Sequence, residues 1–141
     1  MKKMLFLLIT ILLIVGCSQS TLNTPTGRPD IMISADQNLV RSEILTSLIE
    51  RGYQLISESQ NMLLFNAPMS TGQGIMYQAL ISGSHSTPPI WEIRFNIIQV
   101  EEKTRVIGSA VVRTQSAYGR EDVQDMSGSK AGQQLQEFLE K

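Results

Sequence analysis

Few side chains in this sequence can do chemistry unaided. The chain has one cysteine, Cys17, and one histidine, His85. A thiol can serve as nucleophile, metal ligand or acyl acceptor, and its surroundings decide which. Cys17 stands directly behind Ile14-Val15-Gly16 and an apolar run, with no charged residue or second ligand nearby. His85 lies in Gly83-Ser-His-Ser-Thr-Pro-Pro89, a loop composition, so a metal there would have to draw its other ligands from carboxylates alone. Ser84 and Ser86 flank the imidazole, but no G-x-S-x-G elbow occurs to present a nucleophilic serine. Gly72-Gln-Gly74 stops short of G-x-G-x-x-G, and Ser127-Gly-Ser-Lys130 lacks the leading glycine of a phosphate loop, so these read as turn and cap residues. Glu101-Glu102 and Glu121-Asp122 with Asp125 are the acidic clusters, and adjacent carboxylates at turns point apart and into solvent. The expectation is a protein that is not an enzyme, with no catalytic residue, no metal site and no cofactor.

The amino terminus is more informative. Lys2 and Lys3 precede twelve residues, 4 to 15, in which only Thr10 is polar. Charge, apolar run and small residue form the layout of a secretory signal. As a helix those twelve residues reach about 18 Å, short of a hydrocarbon core of roughly 30 Å, so a permanent span is not expected. The tetrad Ile14-Val15-Gly16-Cys17 resembles the lipobox of bacterial lipoproteins, a likeness confined to about the first seventeen residues, with Ile14 where leucine is commonest. The resemblance implies that signal peptidase II recognises Ile14, Val15 and Gly16 and cuts before Cys17, whose sulfur carries a diacylglyceryl group and whose new amino group is acylated, for example by palmitate. Two acyl chains at about 0.8 kcal/mol per buried CH2 suffice for stable anchoring. Ser18, rather than aspartate, after the cysteine favours the outer membrane in a Gram-negative host. Lipidation also consumes the sole thiol, so the folded part has no disulfide in an oxidising compartment and is stabilised by its core.

Several elements must position what remains. Removing residues 1–16 takes away two lysines, moving the formal charge from −1 to −3 and leaving 125 residues. That balance excludes a basic nucleic-acid binder. Residues 17–29 read as the lipidated cysteine and a flexible tether rich in Ser, Thr, Pro and Gly, with an r.m.s. reach of about 20 Å; residues 30–141 read as one domain. Asp30 to Ser34 predicts a short strand. Ser34-Ala-Asp-Gln37 has capping-box spacing, and Val40, Ile44 and Leu48 form the stripe of a helix closed by Gly52. Tyr53–Glu58 and Met62–Ala67 predict a hairpin ended by Pro68, while residues 75–82 fit helix or strand equally.

From Trp91 the alternation of Trp91, Ile93, Phe95 and Ile97 with Glu92, Arg94 and Asn96 predicts a half-buried strand, followed by another from Arg105 to about Ala117. With Glu102 and Lys103 at the tip, Phe95 faces Ala110, Ile97 faces Gly108, Ile93 faces Val112 and Glu92 faces Arg113. Ser129 caps a last helix carrying Leu135, Phe138 and Leu139. Arg94, Arg105, Arg113 and Arg120 lie on or beside the long hairpin, but Glu92, Glu101, Glu102 and Glu121 break any basic stripe. Trp91, Phe95 and Tyr118 are candidates to line a groove, with core packing the first expectation for Trp91 and Phe95.

The predicted class is α+β: a mainly antiparallel sheet with two helices packed on one face, in the order strand, helix, two strands, the ambiguous segment, two strands, helix. At the level of architecture this resembles the TATA-binding-protein-like and helix-grip arrangements, which include domains of accessory lipoproteins of the outer-membrane barrel-assembly machine. The functional expectation is a lipid-anchored envelope lipoprotein facing the periplasm or cell exterior. It would be held to the membrane by Cys17 and engage another envelope protein through a sheet face or edge. The alternative is an exclusion or immunity lipoprotein of phage or plasmid type that blocks an outer-membrane receptor.

Overall fold

A two-residue period needs a sheet with one covered face, and the computed structural model provides it. Residues 22–68, 87–116 and 118–141 are described. The strands are β1 (Asp30–Ile33), β2 (Gln54–Ser59), β3 (Met62–Pro68), β4 (Ile90–Val100), β5 (Lys103–Gln115) and β6 (Glu121–Asp125). The helices are α1 (Gln37–Glu50) and α2 (Lys130–Leu139). All pairings are antiparallel, in the order β1-β5-β4-β3-β2, with β6 also on β5. β1 pairs with residues 104–107 of β5 and β6 with residues 111–115, so the two short strands lie end to end along one edge. The α+β class read from the sequence is the observed one. Residues 75–82, which fitted helix or strand, lie outside the described residues.

Three expectations are corrected in detail. The β4–β5 hairpin is shifted by two residues: Val100 pairs with Lys103, Phe95 with Gly108, Ile93 with Ala110, Ile97 with Val106 and Glu92 with Val111. The tip is Glu101-Glu102, where Glu101 takes the left-handed φ of 55° that a tight hairpin needs in its turn. A shift of two keeps every side chain on its face, so the apolar pattern that fixed the face could not fix the register. The second correction is the start of α1. Its N-cap is Asp36, whose Oδ1 accepts from Asn38 N at 2.8 Å, not Ser34. Gln37 is the first helical residue, and its Nε2 donates to Ile97 O, Gln60 O and Asn61 Oδ1 at 2.9 to 3.0 Å, pinning the helix start to the sheet. Third, Glu121, Asp122 and Asp125 belong to a strand, β6, rather than to turns.

The helix ends follow backbone need. Gly52, at φ 85°, lets its own N–H reach Ile49 O at 2.9 Å and Tyr53 N reach Leu48 O at 3.0 Å, satisfying two terminal carbonyls of α1. Ser129 caps α2 as expected, its Oγ accepting from Ala131 N at 3.2 Å. Val40, Ile44 and Leu48 of α1 and Leu135 and Leu139 of α2 are buried against Leu63, Phe65, Ile93, Phe95, Ile97, Val106 and Ala110. Phe65 and Phe95 meet edge-on at 6.3 Å between ring centres. Where α2 crosses β5 the sheet side chain is absent: a Cβ on Gly108 would stand 3.0 Å from Leu135 Cδ2 and 3.2 Å from Pro29 Cβ.

Candidate functional site

The residues that carried the lipobox resemblance, Ile14, Val15, Gly16 and Cys17, lie outside the described residues, as do His85, Gly72 and Gly74. Among the described residues no helix is long and apolar enough to cross a membrane. The segment approaching the domain is folded at its end. Gly27 N donates to Thr24 O at 3.1 Å, Pro29 is fully buried, and Pro29 O accepts from Gly108 N at 2.7 Å. At β1 the side chain of Gln136 accepts from Asp30 N at 2.8 Å and donates to Asp30 O at 3.4 Å, so α2 covers a strand edge that would otherwise invite pairing.

With both described helices on one side, the opposite face of the sheet is left uncovered among the described residues. Register and alternation bring to it Met32 from β1, Ile90, Glu92, Arg94 and Ile98 from β4, Arg105, Ile107, Val111 and Arg113 from β5, and Glu121 and Val123 from β6. Met62 and Leu64 of β3 share this face beside Asn96 and Arg94, and two further apolar groups lie nearer the β1 and β6 edge. Met32 and Ile98 flank Arg105 on neighbouring strands and sit diagonally from Ile107. Val123 and Ile90 flank Arg113 and sit diagonally from Val111. Met32 and Val123 are 47 % and 48 % exposed.

Between and around these groups run ion pairs. Arg105 grips the buried Asp30 with Nε at 3.1 Å and Nη2 at 2.7 Å. Arg113 bridges Glu92 at 3.1 Å and Glu121 at 2.7 Å, and Arg94 adds a looser pair with Glu92 at 3.7 Å. The pairing of Glu92 with Arg113 expected from the sequence is present, but along the diagonal. Three of the four arginines considered for a basic stripe are thus neutralised; Arg120 is on the exposed turn before β6. The Asp30 carboxyl is held below the usual carboxylate range, chiefly by the Arg105 hydrogen bond, although burial pushes it the other way. The acidic clusters do not converge. Glu101 and Glu102 occupy the hairpin tip, Glu121 is engaged by Arg113, and Asp125 accepts from Ser127 N at 2.8 Å. That backbone bond is the main reason the Asp125 carboxyl also lies below its ordinary value. Among the described residues no three His, Cys, Asp or Glu side chains gather as a metal site.

On the covered side the two helices leave a groove. One lobe, about 440 Å³, is lined by Leu48, Tyr53, Trp91, Ile93, Leu135 and Phe138; a second of about 440 Å³ is lined by Ile33, Val40, Ile44 and Leu139. Arg51, Phe138 and Lys141 border both. Of the aromatics considered for such a groove, Trp91 lines it half-buried, Phe95 lies wholly in the core, and Tyr118 is 99 % exposed and takes no part. Arg51 and Phe138 were not singled out by sequence, because a helix-capping arginine and a stripe phenylalanine have ordinary structural roles. Compared with known proteins, the chain matches no family model, no curated protein and no solved structure.

Proposed function

We propose that this protein is a lipid-anchored lipoprotein of the cell envelope that works by binding rather than catalysis, its uncovered sheet face docking another envelope protein. The anchor rests on the sequence Ile14-Val15-Gly16-Cys17 behind its apolar run. The docking role rests on one observation: a sheet face on which apolar side chains and arginine–carboxylate pairs interleave. Interfaces that form and separate have this mixed character, with arginine over-represented and isolated apolar residues set among polar ones. The ion pairs hold Arg94, Arg105 and Arg113 in place before a partner arrives, lowering the ordering cost of association. Partner contact would bury Met32, Ile98 and Val123 and exchange water around the rim.

The test is a photoreactive amino acid placed singly at Ile98, Val123 and, as control, the exposed helix residue Leu39, in cells carrying the full chain. The expected result is the same discrete adduct from both sheet positions and none from Leu39, with the captured protein identified as an envelope component. Adducts of equal yield from all three positions, or none from the sheet, would remove the docking role.

A further inference from the structure

We propose that the groove between α1 and α2 binds a single-chain anionic amphiphile, with its apolar chain against Trp91 and its acidic head on Arg51. This goes beyond the docking role, because it uses the opposite face of the sheet and a small ligand rather than a protein.

The lobe of about 440 Å³ beside Trp91 falls within the size of small-molecule sites, roughly 300–1,000 Å³. One wall is apolar, with Leu48 from α1, Leu135 and Phe138 from α2, and Trp91 and Ile93 from β4, while Arg51, Gln134, Glu137 and Lys141 make the lining polar elsewhere. Further along the same strand face Phe95 and Ile97 are wholly buried, whereas Trp91 is left half-covered, so the sheet surface is incompletely roofed where the groove lies. Such a surface attracts an apolar chain, because contact removes apolar area on both sides from water.

The head group follows from charge. Arg51 caps the end of α1 with its guanidinium 5.2 Å from the centre of the Phe138 ring, at the border shared by both lobes. Unlike Arg94, Arg105 and Arg113, it forms no ion pair among the described residues. A guanidinium stacked on a ring keeps its edge N–H groups available for a planar or tetrahedral oxyanion. The carboxylates on the groove, Glu43 and Glu137, line different lobes, whereas Arg51 borders both. Carboxylate and phosphate heads share this chemistry.

Trp91 is the only tryptophan in the chain, so its fluorescence reports on the groove directly. The full chain in phosphatidylcholine vesicles is titrated with a mid-chain-brominated fatty acid, whose bromine quenches indole on contact, and with its uncharged methyl ester. The expected result is saturable quenching by the acid and about tenfold weaker binding of the ester, the loss of one charge-assisted contact. Arg51→Gln should weaken the acid by a similar factor while Arg120→Gln leaves it unchanged, both variants keeping the parental melting temperature. A brominated single-chain phosphate run in parallel distinguishes the two head groups. Unsaturable quenching, equal binding of acid and ester, or an Arg51→Gln variant as strong as the parent would overturn the proposal. So would absent quenching by the acid. The acid–ester contrast is read on the unaltered protein, so the test survives a variant that fails to fold.

Discussion

Asp30 shows how one residue can join several parts of the chain. Its carboxylate receives Arg105 from the neighbouring strand and Thr26 Oγ1, at 3.0 Å, from the preceding turn, while its backbone is held by Gln136 of α2. Its folded pKa lies below the ordinary value, and the first cause is the Arg105 hydrogen bond. The unfolded chain therefore takes up the proton first as pH falls. The stabilisation is complete above about pH 4 and is lost as pH drops through the folded value. Asp125, lowered through Ser127 N, acts in the same direction. Urea unfolding from about pH 6 to about pH 3 should show a steep loss in the parent and a shallower one in Asp30→Asn. At neutral pH that variant should be less stable by about 1–3 kcal/mol, since a buried acceptor of charged donors is replaced by an amide. Identical pH slopes for the two proteins would show that the pair contributes nothing across this range.

At the scale of elements, the long hairpin and the helix crossing it decide most of the packing. Gly108 faces Phe95 across the hairpin and lies under Leu135 and Pro29, so its missing side chain serves the approach of α2 and of the entering chain. Gly108→Val should cost about 1–3 kcal/mol through overpacking, read as a lower urea midpoint; an unchanged midpoint would mean that α2 does not cross there. The tip makes the opposite prediction. Glu101 adopts φ 55°, which an L-residue with a side chain holds at a cost and glycine does not. Glu101→Gly should raise stability by about 0.5–1 kcal/mol, less than the full relief of strain because glycine also loosens the unfolded chain. A lower melting temperature for this variant would show that the glutamate side chain does something at the tip beyond occupying it. The strand alternation, the stripes on both helices, the Gly52 stop and the Ser129 cap were all legible because each is a local rule of spacing. The two-residue shift of the hairpin was not, since both registers bury the same face and only the turn conformation separates them. The Asp36 cap was missed in favour of Ser34 because both are good capping residues, and the contacts of Gln37 with the sheet choose between them.

For the molecule as a whole, the proposed anchor and the proposed docking face belong to different parts of the chain and can be tested apart. Cys17→Ala should leave unprocessed precursor in the membrane fraction and abolish incorporation of a palmitate analogue, while a correctly sized, labelled mutant product would end the lipoprotein reading. Neither outcome depends on how the domain folds, because the proposed processing site precedes it in the chain. By itself the sequence determined what depends on neighbours along the chain: the apolar run and thiol at the amino terminus, the class of fold and the periodicities. Only the tertiary structure decided that Arg105 meets Asp30, which sheet face is left bare among the described residues, and that Arg51 and Phe138 stand together at the mouth of a groove beside Trp91. The physical reason is distance along the chain. Asp30 and Arg105, or Arg51 and Phe138, are separated by some 75 and 87 positions, and no periodicity records a contact that exists only after the sheet has formed and the helices have settled on it.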